Sequence, residues 1–105
     1  MRRAARVDTT HGSIRDELRK CGFSVEDTSK IGGDFPDLVI GKHGITALVE
    51  CKSDKKVRKT KGDGLSEGQK TFKATWKGSQ VIVAESLQDV LFAFHLITKR
   101  VGWSA

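Results

Sequence analysis

Two acidic side chains and a lysine carry the chemistry available to this sequence. Asp37 follows the single proline, Pro36, and heads the apolar run Leu38-Val39-Ile40. Glu50 and Lys52 close a second apolar run, Ile45 to Val49, with Cys51 between them. Residues two apart on a strand share a face, so Glu50 and Lys52 project together. If the two runs form an antiparallel hairpin around Gly41-Lys42-His43-Gly44, the start of the first lies beside the end of the second. Two carboxylates and one ammonium then meet at one sheet end. Counting inward from that four-residue turn leaves Asp37 and Glu50 at unequal distances, so their pairing needs a small stagger or bulge. Carboxylates at close range repel unless a cation joins them. Mg²⁺ takes oxygen ligands and keeps several waters, which suits an open two-carboxylate site. A neighbouring lysine orients a metal-bound water and offsets charge developing on phosphate, so the set is equipped to hydrolyse a phosphodiester. Taken singly, Asp37 is a turn residue after proline, and Glu50 with Lys52 a cross-strand charge pair. The combination is what points to a site.

The elements that position these residues are readable from periodicity. From Ser13, the residues Ile14, Leu18 and Cys21 recur at helical spacing and Gly22 follows, as expected just past a helix end. Phe23 to Asp27 alternates and reads as a short strand, and the glycine-rich stretch from Ile31 to Pro36 as a loop. Ser66-Glu67-Gly68-Gln69 fits a capping box that opens a helix carrying Phe72 and Trp76 and stopping near Lys77-Gly78. Gln80 to Ala84 has strand character, and Ser86 opens a last helix reaching about Arg100. The order α-β-β-β-α-β-α predicts an α/β fold, a mixed central sheet flanked by helices. On the last helix, Leu87, Val90, Leu91, Phe94 and Ile97 make the core face. Phe92 and Leu96 lie on roughly the opposite side, either as tolerated surface hydrophobes or as a self-association surface.

With 105 residues, the chain is long enough for one core, and residues 9–105 are read as a single domain behind a basic, frayed arm over 1–8. Hydrophobic residues make up 37% and charged ones 30%, which argues against disorder. No window approaches the ~18 apolar residues of a membrane span, and the charged start lacks the apolar stretch of a secretory signal. Cys21 and Cys51 form no disulfide or zinc pattern, so an intracellular, cytoplasmic setting with free thiols is expected. The net charge of +6 favours a polyanionic partner. Six of the ten residues from 52 to 61 are basic: Lys52, Lys55, Lys56, Arg58, Lys59 and Lys61. Such a segment can grip DNA phosphates beside the site without reading sequence, or can simply be a solvated loop. No phosphate-binding glycine loop of the GxxxxGK(S/T) type and no HExxH sequence occurs, and no nucleotide cofactor is expected.

Pro36-Asp37 followed by Glu50-Cys51-Lys52 resembles the PD-(D/E)xK phosphodiesterase motif on the restriction-endonuclease-like α-β-β-β-α-β core. More narrowly, Gly32-Gly33-Asp34-Phe35-Pro36-Asp37-Leu38, Leu48-Val49-Glu50-Cys51-Lys52 and Leu65-Ser66-Glu67-Gly68-Gln69 resemble the virus-type replication-repair nuclease (VRR-NUC) family, the small stand-alone phage members above all. The resemblance spans approximately residues 8 to 95. It implies a Mg²⁺-dependent DNA endonuclease in which Mn²⁺ can substitute. Asp37, Glu50 and the backbone carbonyl of Cys51 would be metal ligands, Lys52 the catalytic lysine and Gln69 an added polar group at the site. His11 is the nearest equivalent of the family's first-helix residue, or is merely exposed at a helix start. The family also implies a homodimer acting on branched DNA such as four-way (Holliday) junctions, in the host cytoplasm if phage-encoded. A general endonuclease or nickase of phage DNA, and a non-catalytic nucleic-acid-binding module, remain open as alternatives.

Overall fold

The computed structural model describes residues 9–52 and 65–100. The arm at 1–8, the basic run Lys55, Lys56, Arg58, Lys59 and Lys61, and residues 101–105 lie outside the described residues. The architecture is an α/β fold of three helices on a four-stranded mixed sheet, with strand order β1-β2-β3-β4. Its elements are α1 Thr9–Lys20, β1 Ser24–Asp27, β2 Leu38–Lys42, β3 Ile45–Cys51, α2 Glu67–Thr75, β4 Ile82–Ala84 and α3 Leu87–Arg100. That is the order the sequence predicts.

Helix α1 begins a turn earlier than the expected Ser13, because its first turn, Thr9 to Gly12, carries no apolar residue to mark it. It buries Ile14 and Leu18 and ends in a Schellman motif. Phe23 N–H donates to Leu18 C=O at 3.1 Å and Gly22 N–H to Arg19 C=O at 3.1 Å. Gly22, at φ 92°, takes the left-handed conformation that this closure requires. Phe23 thereby returns to the core, edge-to-face with Phe94 at 5.0 Å. Helices α1 and α3 cover one face of the sheet, where Ile14 and Leu18 meet Leu38, Ile40, Val49, Ala84, Val90, Phe94 and Ile97. Leu91, expected on that core face, sits at its margin and is exposed, while Phe92 and Leu96 point outward as anticipated. Among the described residues no helix is long and apolar enough to cross a membrane.

The hairpin differs from its expected form in a way that decides the site. The turn is two residues, His43 at φ 58° and Gly44 at φ 79°, with Lys42 and Ile45 already paired. Two successive left-handed residues match the twist of the flanking strands, whereas a four-residue turn would not hold this register. The ladder runs Lys42↔Ile45, Ile40↔Ala47 and Leu38↔Val49 without a bulge. One further step sets Asp37 directly across from Glu50. β3 then pairs in parallel with β4, Glu50 opposite Val83, after the crossover through α2.

Because Gly44 holds a positive φ that an L side chain resists, Gly44→Ala is expected to lower stability by about 1 kcal/mol in a urea titration. An unchanged midpoint would mean that the turn does not hold the register.

Candidate active site

Strand alternation divides β3 between the two faces of the sheet. Ala47 and Val49 enter the main core, so Leu48 and Glu50 turn to the opposite face, which α2 approaches. Asp37 precedes the inward-facing Leu38 and therefore shares that face. Its carboxylate is fixed by the backbone of the facing strand: Cys51 N–H donates to Asp37 Oδ2 at 2.9 Å. Backbone pairing also continues past the strand, Lys52 N–H donating to Ala84 C=O at 2.8 Å, so Lys52 leaves the sheet in a defined place. Its ammonium lies 3.9 Å from Glu85 Oε2.

Gln69 is positioned by the cap that the sequence announces. Ser66 Oγ accepts from Gln69 N–H at 3.1 Å, and Gln69 Oε1 accepts from Ser66 N–H at 2.8 Å. With its oxygen engaged in the cap, the amide can turn only its NH₂ elsewhere, and Nε2 donates to Glu50 Oε2 at 2.9 Å. The helix start thus serves as a bracket for a sheet carboxyl. Glu50, Gln69, Asp34, Pro36, Leu65 and Phe72 line part of a tight cleft of about 10 Å³, room for no more than a water.

Glu50 is 8% exposed, and its carboxyl is pushed up to about 8. Burial is the main cause. Asp37 adds charge repulsion and a carboxyl–carboxyl hydrogen bond, and Asp34 adds a smaller repulsion. The Cys51 thiol, next to Glu50 in sequence and half-buried, is pushed up to about 12 by burial first and then by Asp37, Glu50 and Asp27.

Asp34, three residues before Asp37 in the same loop, carries no signal of a role in its sequence context, yet it adds to the site. Its carboxylate lies so close over Gly68 that a Cβ there would overlap it. His11 is placed elsewhere: its Nε2 is 3.0 Å from Asp27 Oδ2, and no hydrogen bond aligns with that nitrogen. Arg15 Nη1 also reaches Asp27, at 3.0 Å, and Ser29 donates twice to its other oxygen. Ser29 first, then Arg15 and His11, hold the Asp27 carboxyl well below the usual range. The structure therefore brings Asp37, Glu50, Cys51 and Gln69 together, with Lys52 on the adjoining strand end, and engages His11 with Asp27.

The donor set consists of hard oxygens, the Asp37 and Glu50 carboxyls and the nearby Cys51 carbonyl. Among the described residues no cluster of three or more carboxylate, imidazole or thiolate ligands occurs. A cation that binds few protein groups and retains water fits such a set, as Mg²⁺ does. Comparison with protein-family models, with curated proteins and with solved structures found no match.

In EDTA, stability is expected to fall as pH rises from about 4.5 towards 8. Across that window folded Glu50 keeps a proton that the unfolded chain releases. Glu50→Gln keeps the bond to Gln69 without the charge. It should flatten the profile and stabilise the protein at pH 8 by on the order of 2 kcal/mol. Identical pH profiles for the two proteins in thermal unfolding would refute the buried carboxyl pair.

Proposed function

We propose that the protein is a metal-dependent DNA endonuclease with a PD-(D/E)xK core, hydrolysing phosphodiester bonds in the cytoplasm. The observation that carries this reading is the unbulged hairpin register, which one step beyond the Leu38↔Val49 pair sets Asp37 across from Glu50, with Lys52 just past the end of the same strand. The four-stranded mixed sheet and its element order are compatible with the restriction-endonuclease-like core. A module that only bound nucleic acid would gain nothing from two adjoining carboxyls, which repel phosphate.

Asp37, Glu50 and the Cys51 carbonyl would hold Mg²⁺, or Mn²⁺ in its place. Once bound, the cation lowers the pKa of water and draws negative charge from phosphoryl oxygens. Asp37 is kept in position by the Cys51 N–H and Glu50 by the Gln69 amide, so neither has to be ordered when the substrate arrives. Lys52 supplies an ammonium that holds the attacking water and offsets the charge gained by the phosphate in the transition state. In the net reaction the oxygen of water bonds to phosphorus, the bond to the 3′-oxygen breaks, and that oxygen takes a proton of the water, leaving a 3′-hydroxyl and a 5′-phosphate.

The favoured substrate is branched DNA such as a four-way junction, cut by a homodimer. Support for the dimer is the exposed apolar strip on α3, where Phe92 is 67% and Leu96 43% exposed. The basic run Lys55, Lys56, Arg58, Lys59 and Lys61 would add phosphate contacts. A purified sample incubated with a labelled four-way junction or its matching linear duplex should give paired junction cuts in Mg²⁺ and none in EDTA. Asp37→Ala and Lys52→Ala should each reduce the rate by about 10²-fold or more. Wild-type rates in either variant would refute the site. Neutralising Lys55, Lys56, Arg58 and Lys59 should weaken DNA binding and flatten its salt dependence, whereas an unchanged slope would remove that run from the interface. By light scattering, Phe92→Asp/Leu96→Asp should halve the wild-type mass, and equal masses would exclude those residues from the dimer contact.

A further inference from the structure

Beside the carboxyl pair lies a pocket of about 410 Å³, lined by Lys52, Leu65, Lys70, Lys73, Ala74 and Val83. We propose that it is a subsite for one unpaired nucleotide of the strand being cut, next to the scissile phosphate. Its place in the reaction rests on the nuclease reading, while its chemistry stands on the pocket itself.

The rim is cationic and built from two elements. Lys70 and Lys73 are one turn apart on α2, and Lys52 comes from the end of β3. Glu67 faces Lys70 at 3.6 Å but is almost fully exposed, and Glu85 lies 3.9 Å from Lys52. Lys73 has no acidic partner among the described residues. The remaining lining is aliphatic: Leu65 is buried, Val83 half-buried and Ala74 small. A ligand matching both parts carries phosphate and also an apolar, flat or sugar-like body, as a nucleotide does, and the volume falls in the range of small-molecule sites. Paired bases inside a duplex present only edges and backbone, so a concave aliphatic floor is filled only by a base drawn out of the stack.

The pocket adjoins the candidate site. Leu65, Lys73 and Val83 line both the pocket and the tight cleft that holds Glu50 and Gln69. Val83 is also the ladder partner of Glu50. A nucleotide seated there has its phosphates within the same wall as the carboxyl pair, and the strand must be unpaired beside the cut. The lysine spacing on α2 was visible in the sequence. Only the fold turns that face towards Lys52.

The test measures binding of thymidine 3′,5′-bisphosphate, thymidine and inorganic phosphate by titration calorimetry in EDTA at low salt. Wild type should bind the bisphosphate at least about tenfold more tightly than phosphate, with thymidine weakest. Lys70→Gln/Lys73→Gln, at exposed helix positions, should lose about tenfold or more in affinity. Ala74→Glu, which puts a carboxylate at the pocket wall, should do the same. Asp37→Asn should bind no more weakly than wild type. Equal affinity for phosphate and bisphosphate, or unaltered affinity in both pocket variants, would overturn the inference. Strand cleavage measured in parallel separates the two claims. Cleavage by wild type with unaltered pocket variants would remove the subsite and leave the nuclease. Nucleotide affinity lost in those variants of a protein that never cleaves would keep the subsite and remove the nuclease.

Discussion

Two carboxyl groups pressed together at the end of a hairpin, one of them buried, resist carrying charge together unless something positive joins them. In this protein the hairpin register leaves them no choice of position. Asp37 and Glu50 face each other because a two-residue turn starts the ladder at Lys42 and Ile45 and no bulge relaxes it afterwards. Without a cation the conflict is settled by a proton kept on Glu50. The arrangement costs stability, and proteins retain such pairs where the charge serves a reaction or a ligand.

The surrounding elements hold that conflict in place. β3 contributes the Cys51 N–H that fixes Asp37, and α2 contributes Gln69, whose amide oxygen closes the helix cap while its nitrogen secures Glu50. The apolar layer of α1 and α3 on the other face supplies the stiffness, since Leu38 and Val49, adjacent in sequence to the two acids, are fully buried there. Each acid is thus one residue away from the best-packed part of the core. Such rigidity favours a cation site, which needs oxygens already in position when the ion arrives.

Much of this was legible in the sequence where local physics acts alone. The capping box from Ser66 to Gln69, the glycine closing α1 and the apolar stripe of Val90, Phe94 and Ile97 all correspond to short-range rules, and all three occur as read. The hairpin turn is two residues shorter than the glycines suggest, since glycine at both ends of Gly41–Gly44 does not say which residues take positive φ. Asp34 is not legible in the sequence because its loop brings it to Gly68 and Glu50 only in three dimensions. The partnership of His11 with Asp27 was equally invisible, as it joins a helix start to a strand end. Leu91 shows the limit of an ideal helical wheel at the margin of a core face, where the extent of the neighbouring sheet decides exposure.

Diffraction from crystals grown with Mn²⁺, recorded at the manganese absorption edge, addresses the central claim most directly. The account requires an anomalous peak bonded to the carboxylates of both Asp37 and Glu50, and its loss in Asp37→Asn crystals grown in the same way. A well-ordered Asp37–Glu50 pair with no peak between the two carboxylates at saturating Mn²⁺, or a peak held by other residues alone, would contradict it.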